Sequence, residues 1–178
     1  NGATSQKPQQ VLDRLSSFLE SENSNIHRGI HHLSATATNN YEKGRTKIAE
    51  FLGVSSESVV VFTRGATEAI NLVTHGLAGE LKEGDEIIIT LMEHHANFVP
   101  WQILAQKTGA KVHYISVLDN GELDLQAWKA AFNARTKVAA FTHVSNALGT
   151  INPVEEMVAF AKERGVVTLV DGAQSVPH

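Results

Sequence analysis

The sequence predicts an α/β fold: a mostly parallel sheet flanked by helices. Three observations lead there. Short β-branched runs alternate with stretches of helical period from residue 59 onward. Several of those runs end in clusters of polar residues, as strands do at the ligand-binding edge of an open α/β sheet. One run, residues 166–170, is Val-Val-Thr-Leu-Val, which reads as a strand buried on both faces.

Pro8 suits the first position of a helix, where its missing N–H costs nothing. Val11, Leu12, Leu15, Phe18 and Leu19 follow at helical spacing. Residues 21–25 read as a loop, and residues 27–32, His-Arg-Gly-Ile-His-His, are dense in polar groups. A second helix is predicted over 35–52, with Gly53 as its stop. A strand over 59–62, a turn over 63–68 and a helix over 69–77 come next. Gly84 and Asp85 turn into a strand over 86–90, and residues 100–108 are helical. A strand over 111–115 is followed by Asp119-Asn120-Gly121, a strong tight-turn signal, and a short helix over 125–132. A strand over 138–142 precedes a helix that Pro153 opens and Gly165 closes, before the final strand. Such alternation argues βαβ units.

At 178 residues, 42% of them hydrophobic, the chain has enough apolar material for one domain with a sizeable core. The 15 basic and 19 acidic residues are interspersed, with a formal net charge of −4. No basic stripe points to nucleic acid, and no polybasic run points to a membrane. No apolar stretch reaches the roughly 18 residues that a membrane span needs, and no signal-peptide pattern is present. Cysteine is absent, which excludes disulfides and thiolate metal sites and fits a cytoplasmic protein or one of an organelle matrix. The first residue is Asn1 and the last element ends in Ser-Val-Pro-His, so the chain reads as an excerpt of a longer protein.

Four predicted strand ends carry polar chemistry: residues 63–68, 93–97, 143–146 and 171–174. In a parallel sheet all four face one edge and can share a site. Arg64-Gly65-Ala66-Thr67-Glu68 is a small-residue turn that opens a helix, which offers free backbone N–H groups and a hydroxyl to an anion; an ordinary N-cap is the plainer reading. It is no P-loop, since the Gly-Lys-Ser/Thr ending is missing. His94 and His95 could be metal ligands, catalytic groups or core histidines. His27 and His31 are four apart but have Arg28 and Gly29 between them, so no metal is expected. Asn146 and Gln174 can hydrogen-bond to a ligand hydroxyl or oxyanion, and Asp171 sits where a carboxylate is costly unless a cation or donor meets it; each is otherwise a turn or capping residue. The pairs Ser16-Ser17 and Ser55-Ser56 lack a nucleophile-elbow context. An anion cradle, an imidazole, two amides and a carboxylate at one edge suit a phosphorylated heteroaromatic ring. Pyridoxal 5'-phosphate (PLP) fits each part.

Four stretches carry a resemblance: Arg64-Gly65-Ala66-Thr67-Glu68-Ala69-Ile70-Asn71, Met92-Glu93-His94-His95-Ala96-Asn97-Phe98-Val99-Pro100-Trp101, Thr142-His143-Val144-Ser145-Asn146-Ala147-Leu148-Gly149 and Val170-Asp171-Gly172-Ala173-Gln174. Together with residues 3–8 and 27–31, they resemble the SufS-type (group II) cysteine desulfurases, which are PLP enzymes of the class V aminotransferase-like, fold-type-I group. The resemblance implies that residues 1–178 are the N-terminal part of the large PLP-binding domain. The Schiff-base lysine, the persulfide cysteine, the substrate-carboxylate arginine and the C-terminal domain would lie beyond it. It implies that the Ala66 backbone and Thr67 hold the phosphate and that His94 stacks on the ring and assists proton transfer. Asn146 and Gln174 would address the ring O3′ side, and Asp171 would pair with the pyridinium nitrogen. At Ala66 relatives often carry a second Thr, so one hydroxyl contact is lost here. The implied activity takes sulfur from L-cysteine, leaving L-alanine and an enzyme persulfide, for iron–sulfur cluster assembly. A sulfur-acceptor protein and a homodimer are the implied partners. The alternatives are a selenocysteine lyase acting on L-selenocysteine, another PLP β-lyase, or a non-catalytic fragment or binding module that keeps the fold.

Overall fold

The computed structural model describes residues 4–54 and 60–178. The chain divides into two compact units, Asn1–Phe62 and Thr63–His178.

The first unit holds α1 (Gln9–Ser17), a π-helical turn Phe18–Glu22 and α2 (His32–Leu52). Pro8 caps α1, as its chemistry suggests. The loop expected over 21–25 begins later, because the first helix runs on into the π turn. Arg14 holds Glu22 in a two-pronged ion pair at 2.9 and 2.8 Å, which closes that turn. α2 starts three residues earlier than its apolar pattern, because His31 caps it with Nδ1 accepting the Ser34 N–H. Gly53, at φ +68°, ends it in the left-handed conformation that favours glycine. Gly29 lies so close to Ser34 that an added Cβ would stand 2.4 Å from its Oγ. Of the strand expected over 59–62, residues 60–62 have no regular structure, and Val59 lies outside the described residues, as do Ser55 and Ser56. Instead Arg45 reaches the Val60 carbonyl and sits between the Tyr41 and Phe62 rings, so side chains of α2 hold this stretch where a sheet neighbour would have.

The second unit is the sheet. Strands β1 (Glu86–Thr90), β2 (Lys111–Ile115), β3 (Thr136–Thr142) and β4 (Val167–Asp171) lie in the order β2-β1-β3-β4, all parallel. α3 (Ala66–Leu77), α4 (Val99–Thr108), α5 (Leu125–Ala130) and α6 (Val154–Lys162) accompany it. Strand period splits the core in two. Ile88 of β1 and Ala139 and Phe141 of β3 pack with Trp128 of α5 and Met157 and Ala161 of α6. Ile87 and Ile89 of β1 and Val138 and Ala140 of β3 pack with Trp101, Leu104 and Ala105 of α4.

β1 is the strand buried at all five positions. The run at 166–170 behaves otherwise. β4 begins at Val167, forms an outer edge of the four-stranded sheet, and leaves Val167 50% and Val170 37% exposed. Within residues 1–178 the burial expected from apolar composition is thus only partial. Pairing with β3 and cover from α6 leave the other edge open, and Val167 and Val170, three apart, expose part of both faces of β4 within these residues. Asp85 and Glu86 anchor the opposite end of the sheet. Glu86 is buried and draws in Asn133, His113 and Arg135, so one carboxylate joins the starts of β1, β2 and β3. Among the described residues no helix is long and apolar enough to cross a membrane.

Candidate active site

The carboxyl ends of β1, β3 and β4 and the N-terminus of α3 surround a cavity of about 150 Å³. Its lining includes Ala66, Thr67, His94, Asn146, Asp171 and Gln174, the six residues that sequence reasoning singled out, drawn from four separate segments. Parallel pairing explains why three of those segments meet: each strand delivers its carboxyl end to the same edge. The fourth arrives differently, since no strand precedes it in the described residues. α3 begins at Ala66 rather than 69, so its first turn itself faces the cavity.

In that first turn the N–H groups of Ala66, Thr67 and Glu68 have no partner within the helix. No side chain caps the helix at Gly65. Glu68 turns back to accept the Arg64 N–H at 2.6 Å and pairs with the Arg64 guanidinium at 3.4 Å. These contacts hold its carboxyl below the usual carboxylate range, the backbone N–H contributing most. The turn therefore presents backbone donors, the Thr67 hydroxyl and the positive end of a helix, which together favour an anion.

Asp171 ends β4 and is only 8% exposed. Its carbonyl accepts the His143 N–H at 2.9 Å, and its Oδ1 accepts the Ala173 N–H at 2.9 Å. The capping and ligand-binding readings of Asp171 thus coexist: one oxygen shapes the turn while the carboxylate lines the cavity. Asn146 lies in the turn after β3. That turn is built on Ser145, whose Oγ accepts the N–H groups of Ala147 and Leu148 and whose carbonyl accepts the Gly149 N–H. Gln174 lines the cavity beside Ala173 in the turn that follows β4.

His94 caps the 3-10 turn His95–Asn97, with its Nδ1 accepting the Ala96 N–H at 3.1 Å. A neutral His94 ring therefore carries its hydrogen on Nε2. His95 lies with its ring 6.2 Å from that of His94 and does not line the cavity. His27 instead pairs with Glu42 at 3.1 Å. Among the described residues, no three His, Asp or Glu side chains are grouped to hold a metal ion.

Sequence reasoning passed over Glu93. Its side chain is not among the cavity lining, and its carboxylate accepts from the Thr142 N–H at 3.0 Å, from Asn97 Nδ2 at 2.6 Å and from the Thr90 hydroxyl. Burial, and to a lesser degree the Asp171 charge, push it up to about 7 against these hydrogen bonds. The signal was present as Glu93, Asn97 and Trp101, spaced four apart across the turn into α4.

The family model described as aminotransferase class-V matches residues 1–178. A probable cysteine desulfurase of Mycolicibacterium paratuberculosis is 52% identical over 179 residues, covering 100% of this chain and 26% of that protein. A cysteine desulfurase of Synechococcus elongatus is 51% identical over 179 residues, covering 100% of this chain and 29% of that protein. The solved apo structure of a cysteine desulfurase from Thermococcus onnurineus NA1 is similar with a TM-score of 0.95 and 42% identity, covering 100% of this chain and 44% of that one. The chain thus spans between 26% and 44% of the length of these proteins.

Proposed function

The chain belongs to the class-V aminotransferase family, and from that premise we propose that it forms the N-terminal part of the PLP-binding domain of a cysteine desulfurase. The observation that carries the reading is the meeting of Ala66, Thr67, His94, Asn146, Asp171 and Gln174 around one cavity. The donor set fits the cofactor: an anion-binding helix start, an imidazole, two amides and a buried carboxylate. When bound, PLP supplies an electron sink for bond cleavage at the amino acid.

In this reading the backbone N–H groups of Ala66 and Thr67, with the Thr67 hydroxyl, hold the phosphate. Asp171 would face the ring nitrogen, and the Ala173 N–H on Oδ1 keeps its carboxylate in place. His94 lies against the ring and presents its Nε2–H as a donor; the Ala96 N–H on Nδ1 fixes that tautomer. Asn146 and Gln174 hydrogen-bond to the ring hydroxyl. The substrate is L-cysteine, its sulfur leaving to a thiol as a persulfide and its carbon skeleton leaving as L-alanine. The finer assignment is a SufS-like, cytoplasmic homodimer that passes sulfur to an acceptor protein for iron–sulfur cluster assembly.

The test uses the full-length protein reconstituted with PLP in the presence of a dithiol that reduces the persulfide, with L-alanine and sulfide measured from L-cysteine and, in parallel, selenide from L-selenocysteine. Equimolar alanine and sulfide are expected. A protein that takes up no PLP, or that takes it up and forms no alanine from L-cysteine, overturns the reading; a strong preference for L-selenocysteine replaces it with a lyase.

A further inference from the structure

Glu93 makes none of the proposed cofactor contacts, yet it closes a chain of hydrogen bonds whose direction is set at its ends. Trp101 Nε1 can only donate, and it gives its hydrogen to Asn97 Oδ1 at 2.9 Å. This leaves Asn97 Nδ2 as the group that faces Glu93, at 2.6 Å from Oε2. The Thr142 N–H can only donate as well, and it meets Glu93 Oε1 at 3.0 Å. The Thr90 hydroxyl already accepts the Met92 N–H at 3.2 Å and turns its own hydrogen to the same Oε1. Both oxygens of residue 93 must therefore accept. Thr90, Asn97 and Trp101 are fully buried and Glu93 is half-buried, so a lost partner leaves a buried polar group costly to satisfy.

The partners sit on three elements. Thr90 ends β1, Asn97 closes the 3-10 turn that follows His94, and Thr142 ends β3, where it lines the cavity and pairs in register with Asp171. Glu93 thus joins the segment that carries His94 to the strand end that flanks Asp171.

We propose that Glu93 is a positioning residue for the cofactor site: as an obligatory double acceptor it locks the segment bearing His94 to the end of β3, and so fixes His94 relative to Asp171. The inference rests on the reading of this cavity as the PLP site. The charged group that acts on the Glu93 carboxylate is Asp171.

Hydrogen-bond polarity supplies the test. Glu93→Gln preserves shape but turns an N–H₂ group toward Asn97 Nδ2 or the Thr142 N–H. Asn97→Asp sets two carboxylates against each other. The reciprocal double variant Glu93→Gln/Asn97→Asp restores every donor to an acceptor. The carboxylate now at position 97 accepts from Trp101 and from the amide now at position 93. The oxygen of that amide accepts from Thr142 and Thr90. The total charge is unchanged. The full-length PLP enzyme is measured by the visible circular dichroism of bound PLP and by kcat and KM for L-cysteine. Each single variant should change the cofactor dichroism and lower kcat on the order of 10- to 100-fold, the size of effect that a misplaced group produces. KM should move less. The double variant should recover the wild-type dichroism and come within about threefold of wild-type kcat. Adding Glu93→Gln to His94→Ala should lower kcat little beyond His94→Ala alone. If Glu93→Gln does not fold, the double variant decides, and its own failure to fold or to recover the dichroism overturns the proposal. A Glu93→Gln enzyme with wild-type dichroism and kcat overturns it too, while leaving the PLP reading intact. A wild-type protein that binds no PLP removes both.

Discussion

Replacing Asp171 by Asn separates charge from shape at the centre of the site. The substitution is nearly isosteric, and an Asn side-chain oxygen can still accept the Ala173 N–H that Oδ1 accepts at 2.9 Å. The main-chain tie from the His143 N–H and the register with Thr142 do not involve the side chain at all. The fold should therefore lose no more than about 1 kcal/mol, the worth of one ordinary hydrogen bond weakened rather than removed. What disappears is a buried negative charge, 8% exposed, facing the proposed ring nitrogen. A hydrogen bond to a charged partner is worth roughly 1–2 kcal/mol more than a neutral one, which converts to a cofactor affinity about 5- to 30-fold lower. Turnover should fall further, on the order of 100-fold or more, because a preorganised charge in a shielded site counts most where charge develops during reaction. PLP titration followed by absorbance, alongside sulfide release from the full-length enzyme, measures the two effects separately. An Asp171→Asn enzyme that keeps near-wild-type turnover refutes the assignment of Asp171 to the ring nitrogen.

Three further outcomes follow from the same geometry. His94→Ala should disturb the PLP absorbance and turnover, whereas His95→Ala should matter less, since only the former lines the cavity; matching spectra for wild type and His94→Ala would remove the stacking role. Glu86 is held below its ordinary carboxyl range, chiefly by the Asn133 amide at 2.6 Å and then by the charges of His113 and Arg135. A depressed folded-state value means that its contribution, about 2 kcal/mol for charged hydrogen bonds, is present above the unfolded carboxylate value and is lost as pH falls through the folded one. Urea unfolding between pH 7 and pH 3 should therefore show a steeper acid loss in wild type than in Glu86→Gln, and parallel curves would refute the coupling. No lysine lines the cavity, so borohydride reduction of the 178-residue chain with PLP should leave no stoichiometric adduct by mass spectrometry, while the full-length protein should give one. A stoichiometric adduct on the short chain would mean that one of its own lysines carries the cofactor.

Local chemistry was enough for much of this protein. The β1 and β2 spans follow from β-branched runs between turn signals, and Gly53 and Gly165, both at positive φ, stop their helices because little else tolerates that backbone. His94, Asn146, Asp171 and Gln174 were legible too, because in a parallel sheet the order strand, polar cluster, helix already places each cluster at one edge; Ala66 and Thr67 were legible as a small-residue turn opening a helix. Other features were not local. Residues 60–62 are β-branched and aromatic, yet Arg45, Tyr41 and the Val60 carbonyl hold them outside any strand, a contact 15 residues distant in sequence. Val167 and Val170 read as buried, but burial is a property of neighbours, and among the described residues β4 has a strand on one side. Glu93 is the sharpest case. A glutamate after a strand looks like a solvated turn residue. Its role depends on the Thr142 N–H, 49 residues away, which parallel pairing brings within 3.0 Å, and on a tryptophan donor that sets the direction of the whole chain of hydrogen bonds. The sequence determined which groups could do chemistry; the tertiary structure alone decided which of them hold the others in place, because hydrogen bonds form across strands and their donors and acceptors are matched only after the sheet has closed.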